Sequence, residues 1–510
     1  MNLDEFLHNL HYDIDQVKPP DFEIDWEDAP LPYKLYRDLP TIPLSTQLPL
    51  KASGRKPMAS LETIGTFLWH AYGITQFSES IYMDSPDLLQ QLRRFVPSGG
   101  GLYPNEVYVY LKVEGLADGV YHYDAAHHRL GMLREGSFDS YLTQALGWRC
   151  NIENCFGAVF VTTMFWKNFF KYNHFAYRLQ GLDAGALIGQ ILELGKRFGY
   201  SSYVFFQFLD RAVNHLLGLK EEEESIYAVI PLSHKPEFGL LSGGKGDISA
   251  DRLINLMPEL ETDYFIRSKN ILDYPMITKM NEAAMFDSIG CFSPNKTTET
   301  VKEEGETIFL PQHDRLEYDF TTVCRKRYSP DMDFAMKKVT QRELSILLQE
   351  VAKNFINQND LGDSGDKIEL YGCFYNVEDI PDGAYRYNSS AHSLELIRSG
   401  DLRLRLQSGM TAHNVNLYQV PICLHIVGSV DHLKEDLGYR GYRIQQMKAG
   451  MLIQRLLLAA SALDMGGHPL LGFDVAMSDT LYGFEGKKSS LIQIPIGTHQ
   501  PRPWLKGILI

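Results

Sequence analysis

The chain has 510 residues, 44% hydrophobic and 12% aromatic, with a formal net charge of −15. That length calls for two or three domains, and that apolar content for sizeable cores rather than disorder. The acidic balance argues against a general nucleic-acid or membrane-surface role, because both partners are anionic.

The N-terminal stretch "MNLDEFLHNLHYDID" carries acids early and has no basic region leading into an apolar one, so no secretory signal is expected. No run of about 18 apolar residues occurs, and no membrane span is expected. Six cysteines are scattered without a CxxC pair, which points to a reduced, cytoplasmic setting without structural zinc. "PPDFEIDWEDAPLPYKLYRDLP" reads as an extended arm within residues 1–40.

A helix is then expected over "LETIGTFLWHAYG", followed by an alternating strand over "EVYVYLKVEG" and a short strand over "GVYHYD". An apolar strand over "GAVFVTTM" leads to a long helix over "LDAGALIGQILELGKRFG", and "YAVIPLS" closes the unit as a strand. After a connector with the acidic tract "NKTTETVKEEGE", the same order returns. It runs through "TQRELSILLQEVAKN", "IELYGCFYNVE", "GAYRYN", "VPICLHIVG", "MKAGMLIQRLLLAASALDMG" and "LIQIPIG".

The repetition is visible residue by residue. Gly119–Gly136 and Gly383–Gly400 share seven of eighteen positions, among them Tyr123/Tyr387 and His128/His392. Tyr177–Ile188 and Tyr442–Ile453 share seven of twelve, at an offset of 442 − 177 = 265. The expected organisation is an arm (1–40), a first domain (41–240), a connector (241–314) and a second domain (315–510). Uneven alternation of helices and strands favours an α+β sandwich for each domain over a doubly wound sheet. Ala184, Gly185 and Ala186 read as close helix packing in the core.

Within the first copy, "RRFVPSGGGLYPNEVYVY" stands out. It lacks the Lys-Ser/Thr ending of a P-loop and the spacing of GxGxxG. Taken alone, it could equally be a flexible turn into a strand. His122, His127 and His128 read as a polar turn without metal-ligand spacing. Glu221 to Glu224 read as a solvated face. Cys150 and Cys155 could approach each other on a loop, with nothing nearby to activate a thiolate.

Together, "VPSGGGLYPNEVYVY", "GLADGVYHYDAAHHRL" and "FKYNHFAYRLQGLDAGALIGQ" resemble the flavin-dependent nitroreductase superfamily, closest to its SagB-type peptide dehydrogenases. The resemblance implies a flavin mononucleotide (FMN) site between two like domains, here an internal pseudo-dimer within one chain that could be monomeric. One domain would hold the phosphate and the other would place a Pro-Ser turn beside the ring. Arginines and hydroxyls suit a dianionic phosphate, and Cβ-free glycines let backbone lie against a flat ring.

The family's Arg-x-Ser-x-Arg motif has two incomplete matches. One is Lys51, Ser53 and Arg55; the other is Arg325, Arg327 and Ser329. On this basis the second copy holds the phosphate through Arg325, Arg327 and Ser329, assisted by Gly466 and Gly467. The first copy contributes Pro97, Ser98, Gly99 and Gly100 beside the ring and Lys171–Tyr172 on the substrate side. The second copy has Asp436–Leu437 at the latter place and only Ser364–Gly365 at the former, so the mirror-related site would be vestigial.

The implied activity is FMN-dependent oxidation of thiazoline or oxazoline rings in a peptide to thiazole or oxazole, with Lys171 or Tyr172 as the base. A cyclodehydratase complex is the implied partner. Two alternatives stay open: a general NAD(P)H-dependent nitro- or quinone reductase acting on small molecules, and a non-catalytic peptide-binding subunit.

Overall fold

The computed structural model describes residues 1–46, 58–81, 88–239, 246–293, 306–352, 358–361, 368–500 and 505–508. The first half contains β1 (Thr41–Pro43), β2 (Gln76–Ile81), β3 (Leu88–Arg93), β4 (Asn105–Leu111), β5 (Gly119–Asp124) and β6 (Arg129–Glu135). It continues with β7 (Gly157–Met164), β8 (Ser201–Ser202) and β9 (Glu224–Ser233). The second half supplies β10 (Thr307–Phe309), β11 (Glu369–Phe374), β12 (Gly383–Asn388), β13 (Ser393–Ser399), β14 (Ile422–Ser429), β15 (Gly466–Gly467), β16 (Lys488–Gly497) and β17 (Leu505–Ile508).

Two seven-stranded antiparallel sheets result, in the orders β1-β6-β5-β4-β7-β9-β8 and β10-β13-β12-β11-β14-β16-β15. Strand for strand the two orders are the same, as the sequence repetition predicts. The central strands are runs of aromatic and β-branched residues buried along most of their length, because helices cover both faces of each sheet. Each copy ties its β5–β6 or β12–β13 hairpin with the same bond. Tyr123 Oη meets His128 Nδ1 at 2.9 Å, and Tyr387 Oη meets His392 Nδ1 at 2.8 Å. Both histidines hold a positive φ, near 50°.

The helices that position the site are α1 (Leu3–Tyr12), α2 (Leu61–Tyr72), α3 (Trp166–Tyr172), α4 (Ala176–Phe198), α5 (Pro275–Ala283), α6 (Phe320–Lys326), α7 (Gln341–Ala352) and α8 (Arg440–Ala462). The long helices α4 and α8 start earlier than the apolar periodicity indicated, since Arg178, Arg440 and Arg443 are buried in the joint between halves. They cross where neither has a Cβ: one added at Gly185 would land on the Met447 carbonyl, and one at Gly450 on that of Leu182. The small residues therefore pack the two halves together, and an alanine here would overpack the crossing by about 1–3 kcal/mol.

Equivalent residues meet along this axis. Tyr177 stacks on its equivalent Tyr442 at 6.0 Å, and one position out of that register Gln190 hydrogen-bonds Gln454. Buried ion pairs flank them: Arg455 with Glu193 (2.6 Å), and Arg440 and Arg443 with Asp210 (2.6 and 3.0 Å).

Segments outside the sheets are exchanged between halves. Helix α1 lies on the second half, with Asp4 paired to Lys434 and Tyr12 Oη donating to Asp479 at 3.0 Å. Helix α5 lies on the first, with Asn281 Nδ2 donating to the Glu221 carbonyl at 3.3 Å. At the far end of the chain, β17 pairs with β2, which in turn pairs with β3, the strand leading into Pro97–Gly100. No helix among the described residues is long and apolar enough to cross a membrane.

Candidate functional site

Residues Pro97–Gly100 follow β3 and are held from below by helix α4. Ser98 Oγ donates to Asp183 Oδ2 at 2.7 Å, and the Gly99 N–H donates to Asp183 Oδ1 at 3.0 Å. The Tyr103 N–H closes the turn by donating to Ser98 Oγ at 2.9 Å. Gly100 has φ +64°, a conformation in which a side chain is strained. A Cβ there would lie 2.5 Å from Tyr172 Oη and 3.0 Å from Lys171 Nζ. Neighbours in sequence ordinarily point apart. Here α3 ends at Tyr172 and both side-chain tips arrive at one glycine.

The two groups differ electrostatically. Burial, and then the nearby Lys18, pull the Lys171 ammonium below its ordinary range. Burial, and then Asp183, push the Tyr172 phenol well up. Burial also raises the Asp183 carboxyl to about 7, against the opposing pull of Ser98 and Gly99. Lys171 further sits 5.3 Å over the Trp26 ring of the N-terminal arm.

Just upstream of this turn, at Arg93–Phe95, lies a cavity of about 270 Å³ at the seam between halves. Strand β3 and its continuation contribute Arg93, Arg94 and Phe95; the end of α6 contributes Arg325, Lys326 and Arg327; the C-terminal segment contributes His499 and Lys506. No acidic residue lines it among the described residues. Arg327 Nε donates to the Phe95 carbonyl at 3.1 Å, which joins the second half's basic segment to the strand preceding Pro97. Arg325 Nε and Nη2 are buried without a hydrogen-bond partner. Partial burial lowers Arg327, and partial burial with Arg93 lowers the otherwise exposed Lys506, as expected for cations crowded together. A dianion answers all of these demands at once.

The structure thus brings together Pro97–Gly100, Lys171 and Tyr172, and beside them Arg325 and Arg327. Ser329 is half-buried on the same segment and does not line the cavity. Gly466 and Gly467 form strand β15 behind it: the Gly467 N–H donates to the Tyr328 carbonyl at 3.3 Å, and Gly466 abuts Pro330 and His499. Ser53 and Arg55, with Lys51, lie outside the described residues, as do Ser364 and Gly365.

Asp183, Arg93 and Lys506 were not singled out in the sequence. Arg93 stands in the "RRFVPSGGG" run and could have been; Lys506 reaches the cavity only because β17 crosses to the other half. His122 is not in a turn: it lies buried in β5, bonded to Glu106 at 2.8 Å. Lys167 holds the same carboxylate, and despite burial Lys167 and His122 hold Glu106 down at about 2. Glu224 is likewise no solvated residue, since Lys34 of the arm reaches it at 2.8 Å with both side chains buried. Cys150 and Cys155 do approach, at 4.0 Å between sulfurs, and that contact, with burial second, raises Cys150 and keeps it a thiol. No cluster of three metal-ligating side chains occurs among the described residues.

The family model described as the nitroreductase family matches residues 55–233. A candidate nitroreductase from Anabaena variabilis, known from a crystal structure, has the same doubled fold. Its TM-score is 0.73 at 23% identity, over 98% of this chain and 99% of that one. Among curated proteins, the trifolitoxin-processing protein TfxB of Rhizobium leguminosarum bv. trifolii is 30% identical over 145 residues, 27% of this chain. That alignment spans 38% of TfxB's length. A chain of the Escherichia coli microcin synthetase McbBCD complex is a partial structural match, with a TM-score of 0.28 at 20% identity over 39% of this chain and 70% of that one.

Proposed function

From the premise that this chain carries a nitroreductase-family domain within a doubled nitroreductase fold, we propose that it is an FMN-dependent peptide azoline dehydrogenase. The observation that carries the proposal is the basic cavity that opens at Phe95, two residues before Pro97, with no acid among its described lining residues, in a chain that is otherwise strongly acidic. The residues fit a phosphate monoester: Arg325, Arg327 and Lys506 would hold it, with Arg93 from the facing strand. Gly99 and Gly100 leave backbone exposed for a flat ring, and Asp183 keeps that backbone in place. FMN, when bound, supplies the two-electron acceptor that ring aromatisation requires.

Lys171 Nζ takes the proton from the azoline ring carbon, because its tip reaches Gly100 and burial, with Lys18 nearby, lowers its affinity for a proton of its own. Tyr172 stays protonated and donates a hydrogen bond from the same point, orienting the substrate against Gly100. Trp26 covers the lysine and limits its contact with water. A peptide substrate is favoured by the likeness to TfxB, whose name assigns it to toxin processing. A cyclodehydratase that makes the azoline would act before this step.

The test is direct. The purified protein should retain one FMN per chain and remove two hydrogens from each azoline ring of a pre-cyclised peptide, read by mass spectrometry. Rapid bleaching by NAD(P)H with no azole formed would favour the general reductase instead. Failure to retain flavin would favour the non-catalytic subunit.

A further inference from the structure

The N-terminal arm and the connector zip together into an antiparallel ribbon across helix α3. The Arg37 N–H donates to the Asp263 carbonyl and the Phe265 N–H to that of Leu35, each at 2.8 Å. Asp28 accepts from the backbone N–H groups of Lys269 (2.7 Å) and Asn270 (2.8 Å). Arg267 donates to the carbonyls of Ala29 and Glu27. Ser268 fastens the ribbon to α3, its Oγ accepting from Trp166 Nε1 at 2.8 Å.

Beneath the ribbon lies a cavity of about 500 Å³, walled by Tyr33, Met164, Trp166, Ile271, Leu272 and Tyr274. Its size and apolar walls are those of a ligand site. Ile271 and Leu272 are 46% and 47% exposed at its mouth. The pseudo-equivalent hollow of the second half, bordered by Ser429, Asp431 and His432 (Met164, Trp166 and Lys167 plus 265), is about 260 Å³ and is capped by α1. The larger cavity is therefore a property of the half that carries Lys171.

The charges around the mouth identify the occupant. Lys34 is committed to Glu224, Lys167 to Glu106, Arg267 to the ribbon carbonyls, and Glu223 to Lys220 and Tyr264. Glu222 and Asp273 line the cavity with no ion pair among the described residues. An anionic ligand is disfavoured there, and a basic one is attracted.

We propose that this cavity docks a segment of the substrate polypeptide, taking one bulky apolar side chain between Trp166 and Ile271–Leu272 and a neighbouring lysine or arginine beside Glu222 and Asp273. The proposal rests on the peptide-substrate reading above. From Trp166 to Lys171 helix α3 rises about 7.5 Å. Two or three extended residues cover that distance. The docked side chain would then lie two to three residues from the ring being oxidised.

Binding is tested apart from turnover, by fluorescence anisotropy of the flavin-loaded protein with a dye-labelled, amidated, uncyclised Gly-Leu-Lys-Gly-Gly peptide. Replacing its leucine by glycine, or its lysine by glutamate, should weaken binding at least tenfold. Thr278→Trp, which fills the cavity from α5, should abolish it. Asp273→Lys should weaken the lysine peptide and recover the glutamate one; because residue 273 is on the surface, that variant tests the claim even if Thr278→Trp does not fold. Equal binding of the leucine and glycine peptides, or unchanged binding by folded Thr278→Trp, overturns the proposal. Peptide bound but never oxidised would keep the docking site and defeat the dehydrogenase; azole formation by Thr278→Trp at an unchanged KM would do the reverse.

Discussion

The two halves of this chain have one strand order and opposite chemistry at equivalent positions. Where the first half has Lys171–Tyr172 at the end of α3, the second has Asp436–Leu437. Asp183, which holds the Ser98–Gly100 turn, is replaced by Lys448, and Glu224 at the head of β9 by Lys488 at the head of β16. What both halves keep is the frame: the Tyr–His hairpin bond and the glycines at the helix crossing. A scaffold that needs two copies to close its joint needs only one of them to carry a reacting group. The other is free to supply cations from α6 and a C-terminal strand that reaches back to the first half.

The largest expected effect tests that division of labour. Lys171→Ala should lower kcat for azole formation by about 10²–10⁴-fold, the usual worth of a positioned base, with FMN still bound. Asp436→Ala at the equivalent place should leave the rate unchanged, and a comparable loss there would mean two working sites.

Next comes a stability contrast. Lys34→Met strips Glu224 of its ion pair in a buried setting, a change that typically costs about 3–5 kcal/mol. Lys488→Met leaves Glu369 with Arg386 at 3.1 Å in a partly exposed setting and should cost about 1 kcal/mol or less. Urea unfolding of both variants would reveal the difference, and equal losses would refute the idea that the arm is locked to the first half by this carboxylate.

Smaller again is the cofactor effect. Arg327→Ala removes one charged donor from a crowd of cations and should weaken FMN about 10–100-fold by titration, in keeping with about 1.5–3 kcal/mol for a charge-assisted bond. Arg55→Ala should not change it if the first copy's basic motif serves no second flavin.

How far these features could be read from sequence follows from how local they are. The repeat was legible because its identical residues make short-range or symmetric contacts: Tyr123 bonds His128 five residues on, and Tyr177 meets its own equivalent Tyr442. The turn at Ser98–Gly100 and the Lys171–Tyr172 pair were legible as motifs. Their convergence was not, since it depends on where α3 ends. Arg93 with Lys506, 413 positions on, and Lys34 with Glu224, 190 positions on, are brought near only by the fold, so nothing in a local window announces them. Glu224 looked solvated because an acidic run usually is, and only the arm passing over it puts it out of water.

The smallest effect concerns Asp183, where the sign can be worked through. An aspartate ordinarily titrates near 4, whereas burial raises this carboxyl to about 7 in the folded protein. The folded state therefore favours the protonated form. The stabilisation this provides is fully present below about pH 4 and is lost as pH rises through about 7. Melting temperature should accordingly fall across that interval by a few degrees more than in Asp183→Asn, whose amide is neutral throughout and still accepts from Ser98 or the Gly99 N–H. Lys448→Ala, the equivalent change in the second half, should leave the slope of the wild type untouched, because it leaves Asp183 and its partners Ser98 and Gly99 in place. If wild type and Asp183→Asn melt in parallel from pH 4 to 8, the carboxyl is ionised when folded. The turn at Gly100 would then be held by a charge, and Tyr172 would face an anion across it.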